Sequence, residues 1–320
     1  METSNDHSIK IGISACLLGD RVRYDGGHAR NHFFTETLVR FVDFVPVCPE
    51  VDIGLGTPRE TIRLAQIGEK VRLVAPKSGA DHTFKMQRYA KKKVCDLLTH
   101  DLNGFIFKKN SPSCGLYRVK IYGKNALYRA VGRGVFADTL TSLVPLLPVE
   151  EEGRLNDPRL RENFFEQVFA HRRLCKLFQA RWKLVDLITF QASEKLLLKA
   201  HSPQIQRELG KLVAQAKTVA KPHLAEKYKR LFMESLRKPV SVGRHVNILH
   251  HIAGPLNKTL SAQENSELVG AIQDYRSQLV PLIVPITLVR HFTRRYEINY
   301  LMGQTYLEPH PKELLLRNHT

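Results

Sequence analysis

No apolar stretch in the chain approaches the roughly 18 to 20 residues that a membrane-spanning helix needs. The opening residues, METSNDHSIK, lack the apolar segment of a secretory signal. Both absences point to a cytoplasmic protein with no membrane partner. Cysteine is scarce: there are five, with no CxxC pair and no zinc-ribbon spacing. In a reducing compartment that argues against a disulfide framework and leaves metal ligation or nucleophilic chemistry as the uses to test. Internal repeats and low-complexity tracts are absent, and a composition of 43% hydrophobic and 25% charged residues excludes a wholly disordered or collagen-like chain. Acid is in short supply. Against 49 Lys and Arg stand 31 Asp and Glu, a net charge of +18, and such a field favours a polyanionic partner.

What is present divides into two textures. A length of 320 residues allows two domains, each with its own core. The first half alternates short apolar runs with amphipathic stretches and turn residues, the rhythm of an α/β domain. Strands are expected at Ile9 to Ser14, Phe41 to Val47, Val71 to Ala75 and Gly104 to Phe107, with a last apolar run from Leu143 to Val149. A helix is expected from Asp81 to His100, where Met86, Tyr89, Ala90, Val94, Leu97 and Leu98 fall near helical spacing. The acidic run Glu150-Glu151-Glu152 marks the boundary, giving domains 1–152 and 153–320. Beyond it the chain reads as helices: Pro158 to Phe178, Trp182 to Ala200, Pro203 to Val219, Pro222 to Leu236, Val242 to Ile252, Ala262 to Leu279 and Pro285 to Tyr300. Residues 1–150 carry +7 and the remainder +11, so the helical half holds the larger share of the charge.

Three cysteines stand out by position. Cys16, Cys48 and Cys114 each follow an apolar run: IKIGISAC, FVDFVPVC and GFIFKKNSPSC. If those runs are parallel strands of one sheet, the three thiols meet in the loops at its carboxyl edge, where open α/β sheets form their crevice. Around them the loops supply Arg21, Arg23 and Asp25, then Glu50, Arg59 and Arg63, then Lys108, Lys109, Ser111 and Ser113. Three soft ligands with basic neighbours suit zinc or an iron–sulfur cluster, and three rather than four leave one metal position open. Cys95 and Cys175 lie within amphipathic helices, with no Gly or Pro loop, and read as core residues. Glu50 is open to a second reading, a loop carboxylate that satisfies a helix start or pairs with Arg59. Asp25, beside two glycines, also reads as a turn former, and Ser111 and Ser113 around Pro112 as ordinary turn hydroxyls.

The motifs SACLLG-x-x-VRYDGG, CPE-V-x-x-GL-x-x-PRE and K-x-x-SPSCG, intact and in order, resemble the TudS family of desulfidases over roughly residues 8 to 150. The segment RHFTRRYEINYLMGQTYLEPHPKELLLRNH, Arg290 to His319, resembles the domain typified by bacterial YbgA. The fused arrangement is similar to the RudS-type tRNA 4-thiouridine desulfidases. The resemblance implies an α/β, Rossmann-like, mostly parallel sheet domain followed by an all-α helical domain. It implies a [4Fe–4S] cluster on Cys16, Cys48 and Cys114 with one open iron, and catalytic roles beside it for Glu50 and Ser111. Arg23, Asp25, Arg59, Lys108 and Ser113 are then candidate substrate-binding residues.

The expected chemistry is hydrolytic: sulfur leaves a thiolated pyrimidine and water supplies the oxygen. No net redox change is involved, so neither nicotinamide nor flavin is expected. The expected partner is tRNA carrying 4-thiouridine, with Arg172, Arg173, Arg181, Lys183, Arg290, Arg294 and Arg295 interleaved with Phe165, Phe169, Trp182, Phe292 and Tyr296 as its helical-domain contacts. Three rivals remain: desulfuration of free thiouracil or its nucleotides, a non-enzymatic RNA-binding iron–sulfur protein, and metal-free cysteine catalysis, for which no motif places a histidine partner.

Overall fold

A computed structural model describes residues 9–123, 127–179 and 181–320. They form two compact units, Met1–Asn156 and Asp157–Thr320. The run Glu150 to Glu152 thus belongs inside the first unit, and the division falls after Asn156.

In the first unit the apolar runs become β1 (Ile9–Ser14), β2 (Val42–Val47), β5 (Leu102–Phe107) and β8 (Val149–Glu151), an all-parallel sheet in the order β2-β1-β5-β8. Strand β5 is buried along its whole length, as a strand covered on both faces must be. The chain runs from β1 out to β2 and returns to the other side of β1 at β5, so the carboxyl ends around β1 are a topological switch point. Helix α2 (Thr83–Leu98) puts Met86, Ala90, Val94 and Leu97 on one buried stripe, and α3 (Val135–Leu143) adds Phe136, Ala137 and Leu140. Ala90, Val94 and Leu97 of α2 join these α3 residues and Phe105 and Phe107 of β5 in one core.

A second sheet was not anticipated. It comprises β3 (Arg63–Ile67), β4 (Lys70–Val74), β6 (Val119–Tyr122) and β7 (Tyr128–Gly132) in the order β4-β3-β6-β7. The run Val71 to Ala75 belongs here, antiparallel to β3, rather than to the parallel sheet. The last apolar run, Leu143 to Val149, is mostly loop: Leu143 ends α3, and Val149 alone enters β8. Pro145 and Pro148 explain this, since neither can donate to a strand ladder. Cys95, expected in the core, lies on the exposed face of α2, and Cys175 is half-buried.

The second unit is helical: α4 (Pro158–Gln179), α5 (Leu184–Ser193), α6 (Lys195–His201), α7 (Pro203–Ala214), α8 (Lys221–Ser235), α9 (Val242–Leu256), α10 (Ala262–Arg276), α11 (Ile283–Arg295) and the short α12 (Asn299–Met302). None of its helices, nor any other among the described residues, is long and apolar enough to cross a membrane. The single helix expected from Trp182 to Ala200 is parted into α5 and α6 at Glu194. There the Gln304 amide donates to the Ala192 carbonyl (2.9 Å) and accepts from the Leu196 N–H (3.3 Å), so a side chain replaces part of the helical ladder.

A buried ionic network ties the end of the chain to α4. Arg317 donates to Glu162 (3.1 Å), Glu166 (3.0 Å) and the Tyr306 carbonyl (2.6 Å), while His201 meets Glu166 at 2.7 Å and His319 meets Glu162 at 2.8 Å. Burial alone would raise the carboxyl pKa values, but His201 and Arg317 hold Glu166 low, and His319 and Arg317 hold Glu162 low. Burial and then Arg317 push the nearby His245 down to about 3, and the same two causes lower His310.

Two predictions follow from this packing. All four groups have folded-state pKa values below their unfolded ones, so only the unfolded chain takes up these protons and stability falls as pH falls. The histidines exact this loss from about pH 6.5 downward and the carboxylates from about 4.3. The melting temperature of the full chain, followed by helical circular dichroism, is expected to drop steadily from pH 7 to pH 4; a flat profile would contradict the network. The second concerns Gly134 at the start of α3, where a Cβ would stand 2.5 Å from the Ser113 carbonyl atoms and 2.7 Å from the Cys114 nitrogen. Gly134→Ala is expected to cost about 1–3 kcal/mol in urea unfolding, because backbone on backbone cannot yield as a side chain can.

Candidate active site

Each of the three cysteines sits at the carboxyl end of a parallel strand for a local reason. Cys16 lies on a short 3-10 turn, Ala15–Leu18, that follows β1 and closes at Gly19. Cys48 directly follows β2, and its carbonyl accepts the Asp52 N–H (3.0 Å), opening the one-turn helix α1 (Pro49–Asp52). Cys114 closes the loop after β5. That loop is built around the first residues of α3, whose N–H groups find carbonyl partners in it: Val135 donates to Pro112 (3.1 Å) and Phe136 to Ser113 (2.9 Å). Gly115 is obligatory there, since a Cβ would approach Val119 to 2.4 Å and the Ser111 carbonyl to 2.8 Å.

All three thiols open into one cavity of about 410 Å³, whose wall also carries Arg23, Glu50, Arg59, Lys108 and Ser111. The volume lies in the range of about 300–1,000 Å³ typical of small-molecule sites. Burial pushes the Cys16 thiol up to about 12, with Lys108 and Arg23 pulling against it and Cys48 and Glu152 adding to it. Cys48 is raised chiefly by burial and also by Glu50, while the Val51 N–H and Arg59 pull it down. Cys114, fully buried, is raised well above a normal thiol by burial, then by Glu50, Cys48 and Cys16, with Ser14 opposing. Cys48 thus acts on both of the other thiols, and Cys16 on Cys114. Left bare they stay protonated at neutral pH, and a bound cation is what converts such a set to thiolates.

The donor set discriminates between metals. Among the described residues no three His, Cys, Asp or Glu side chains are arranged to hold a single metal ion. Zinc, with Zn–S bonds of about 2.3 Å, would need such convergence. Three thiols lining one roomy cavity fit a multinuclear cluster, and the cations beside them suit the negative charge that thiolates bring.

Glu50 and Ser111 reach this cavity from different strands and meet there. Arg59 grips Glu50 Oε2 through Nε (3.1 Å) and Nη2 (2.5 Å), and also donates to the Gly56 and Val22 carbonyls (2.8 and 3.0 Å). The second oxygen, Oε1, faces the Ser111 hydroxyl at 3.3 Å. Ser111 Oγ in turn accepts the N–H groups of Ser113 (3.2 Å) and Cys114 (3.1 Å), so its proton is free to point only toward Glu50 or a bound molecule. One carboxylate oxygen is fixed and the other is left for chemistry.

Other expected residues are placed less uniformly. Arg23 and Lys108 line the cavity; Lys108 pairs with Glu152, and Arg23 with Asp25 at 3.5 Å. Asp25 itself is exposed, accepts the Gly27 N–H (3.0 Å) and shapes its turn without joining the cavity wall. Ser113 is fully buried behind the wall, its hydroxyl without a hydrogen-bond partner among the described residues. Arg59 is on the wall, but its guanidinium is spent on Glu50 and two carbonyls. Sequence reasoning missed Glu151 and Glu152. Glu152 accepts the Lys109 N–H (2.7 Å) as well as the Lys108 ammonium, and Glu151 accepts the N–H groups of Leu116 (2.7 Å) and Tyr117 (3.1 Å). These two carboxylates clamp both ends of the Cys114 loop. The rule that singled out the cysteines, polar residues directly after an apolar run, would have found them.

Matches to known proteins fall into two separate parts of the chain. Residues 11–152 match the 2-thiouracil desulfurase family, and residues 195–311 match a protein family of unknown function, DUF1722. Uncharacterized protein YbgA of Escherichia coli (strain K12) is 26% identical over 165 residues, 51% of this chain and 98% of its own. Uncharacterized protein YbbK of Bacillus subtilis (strain 168) is 33% identical over 158 residues, 46% of this chain and 98% of its own. A solved [4Fe–4S]-dependent thiouracil desulfidase, TudS, is 30% identical, covers 47% of this chain and 95% of its own, and aligns with a TM-score of 0.37. With its three cysteine loops intact across the matched span, the chain belongs to the 2-thiouracil desulfurase family and carries a YbgA-like helical domain after it.

Proposed function

We propose that the protein is a cytoplasmic desulfidase that removes sulfur from 4-thiouridine in tRNA, using a [4Fe–4S] cluster held by Cys16, Cys48 and Cys114. The observation that carries this reading is the convergence of three thiols from three strand ends on one cavity beside the Glu50–Ser111 pair. Family membership supports the desulfuration, and the net charge of +18 supports a nucleic acid as carrier of the thiobase.

A cluster ligated by only three thiolates supplies, at its remaining iron, a Lewis acid with affinity for sulfur. The chain's own residues do the rest. Glu50 Oε1 takes the proton from the water that attacks the ring carbon, and Arg59 keeps the carboxylate turned toward it. Ser111 hydrogen-bonds the water or the base, its hydroxyl oriented by two backbone N–H groups. Val22, Val47 and Ile62 give the cavity apolar wall against which a flat base lies. In balance, a thiocarbonyl and water give a carbonyl and hydrogen sulfide, with no electron donor or acceptor. A base inside a duplex cannot enter such a cavity, so local unstacking precedes reaction.

The test is incubation of anaerobically reconstituted protein with thiolated tRNA, 4-thiouridine monophosphate and 2-thiouracil side by side. Loss of the near-ultraviolet thiobase absorbance with release of sulfide is expected, fastest on tRNA; an unchanged nucleoside composition refutes the reading. Glu50→Gln is expected to keep its iron and lose activity by about 10²- to 10⁴-fold, the usual worth of a general base. Equal loss of iron would make Glu50 a structural residue instead. Affinity for tRNA is expected to weaken linearly on a log–log plot against salt, as counterion release requires.

A further inference from the structure

A second hollow opens directly from the rim of the catalytic cavity. The two share Lys109 and Asn110, and from there an open groove of about 1110 Å³ runs across Tyr117, Arg118, Arg133 and Arg154. Its walls carry four cations and two carboxylates, and one of these, Glu151, is turned inward onto the Leu116 and Tyr117 N–H groups. Arg154 is paired with Glu150 (2.9 Å) and lies over the Tyr117 ring at 5.0 Å, while Arg133 faces Asp138 at 3.7 Å. Lys109 and Arg118 are exposed and have no anionic partner among the described residues. Tyr117 is 40% exposed and sets an aromatic ring in this polar wall.

We propose that this groove holds the RNA strand adjoining the reacting nucleotide, with Arg118 contacting a phosphate and Tyr117 supporting a neighbouring base. The inference rests on the reading of the cavity as a thiobase site and assigns the flanking RNA to the desulfidase unit itself. The physical case is continuity and charge. A nucleotide whose base enters the cavity leaves its ribose and phosphates at the rim, and the chain beyond them must depart over whatever surface adjoins that rim. Here that surface is concave, cationic and fitted with an aromatic ring, the combination that single-stranded nucleic acid requires. Arg118 adds a separate mark. Its backbone holds φ at +52°, a left-handed conformation that arginine adopts only under strain, yet its side chain is exposed. The same position would be comfortable for glycine.

The experiment uses the full-length holoprotein with Arg118→Glu and Arg118→Gly. Three measurements are made: equilibrium binding of unmodified tRNA across a salt series, KM for thiolated tRNA, and turnover of 4-thiouridine monophosphate. Arg118→Glu is expected to weaken tRNA binding and raise its KM by about tenfold. The log-salt slope is expected to shrink by about 0.7 to 0.9, one phosphate contact, with mononucleotide turnover unchanged. Arg118→Gly removes the charge and relieves the backbone, so it is expected to melt higher while binding tRNA more weakly, a pairing that a purely structural arginine would not produce. Unchanged tRNA affinity and salt slope in both variants would overturn the proposal. So would a loss of mononucleotide turnover equal to that on tRNA, which would make Arg118 part of the cavity. If the wild-type protein desulfurates nothing, the functional reading fails, yet the binding series still decides the groove by itself.

Discussion

Three ionisable thiols and a carboxylate cannot share a buried cavity unless something compensates for their mutual repulsion and lost hydration, and much of the first unit is arranged around that constraint. Burial raises every one of the three thiol pKa values, and Cys48 adds to the rise at both Cys16 and Cys114. The protein supplies cations, Lys108 and Arg23 toward Cys16 and Arg59 toward Cys48, yet not enough to ionise the thiols unaided. The remaining compensation has to come from a bound cationic centre. Such a site is therefore most stable when loaded, because the free energy of binding is also free energy of ordering its loops.

The second tier of groups follows from the first. Cations brought in to balance thiolates must be held in place, and buried carboxylates do the holding. Arg59 is locked onto Glu50, and Lys108 onto Glu152. These carboxylates then have further work: Glu152 and Glu151 also accept backbone N–H groups from the loop that bears Cys114. Glu50 keeps one oxygen clear of its arginine, so the same pair that steadies the electrostatics also orients a proton acceptor. Position in a parallel sheet makes this economical, since one edge gathers the ends of β1, β2, β5 and β8 within a single crevice.

What could be read from the sequence tracks what is local. Strands β1 and β5 announce themselves because buried parallel strands are nearly continuous apolar runs, the edge strand β2 shows by its valines and phenylalanine, and the three cysteines are conspicuous because each follows one of these closely. The second sheet was hidden, since β3, β6 and β7 mix arginine and lysine with their apolar residues, and its two hairpins, β3–β4 and β6–β7, are joined only by the long-range pairing of β3 with β6. The break at Glu194 was invisible for the same reason: it depends on Gln304, more than a hundred residues away. Glu150 to Glu152 was read as a domain boundary because it ends the last apolar run of the first half. Here all three are buried: Glu150 pairs with Arg154, four residues on, while Glu151 and Glu152 hold the Cys114 loop, to which no local pattern connects them.

Charge is the property whose sequence total says least about location. The helical unit holds the larger formal excess, which made its mixed arginines and aromatics the natural RNA contacts. Within that set Phe165 and Phe292 are core, Arg173 is bound to Glu194, Arg290 to Glu308, and both Arg295 and Tyr296 to Glu264, while Arg181, Lys183 and Arg294 are exposed. A cation already paired with a carboxylate contributes little to attracting a phosphate, because the pair presents a dipole where the lone cation presents a charge. In the first unit, with the smaller excess, Lys109 and Arg118 stand exposed and unpaired among the described residues, beside the mouth of the cavity. For recognition, what counts is the charge left over after the protein has satisfied itself, and at the active-site rim that remainder is positive.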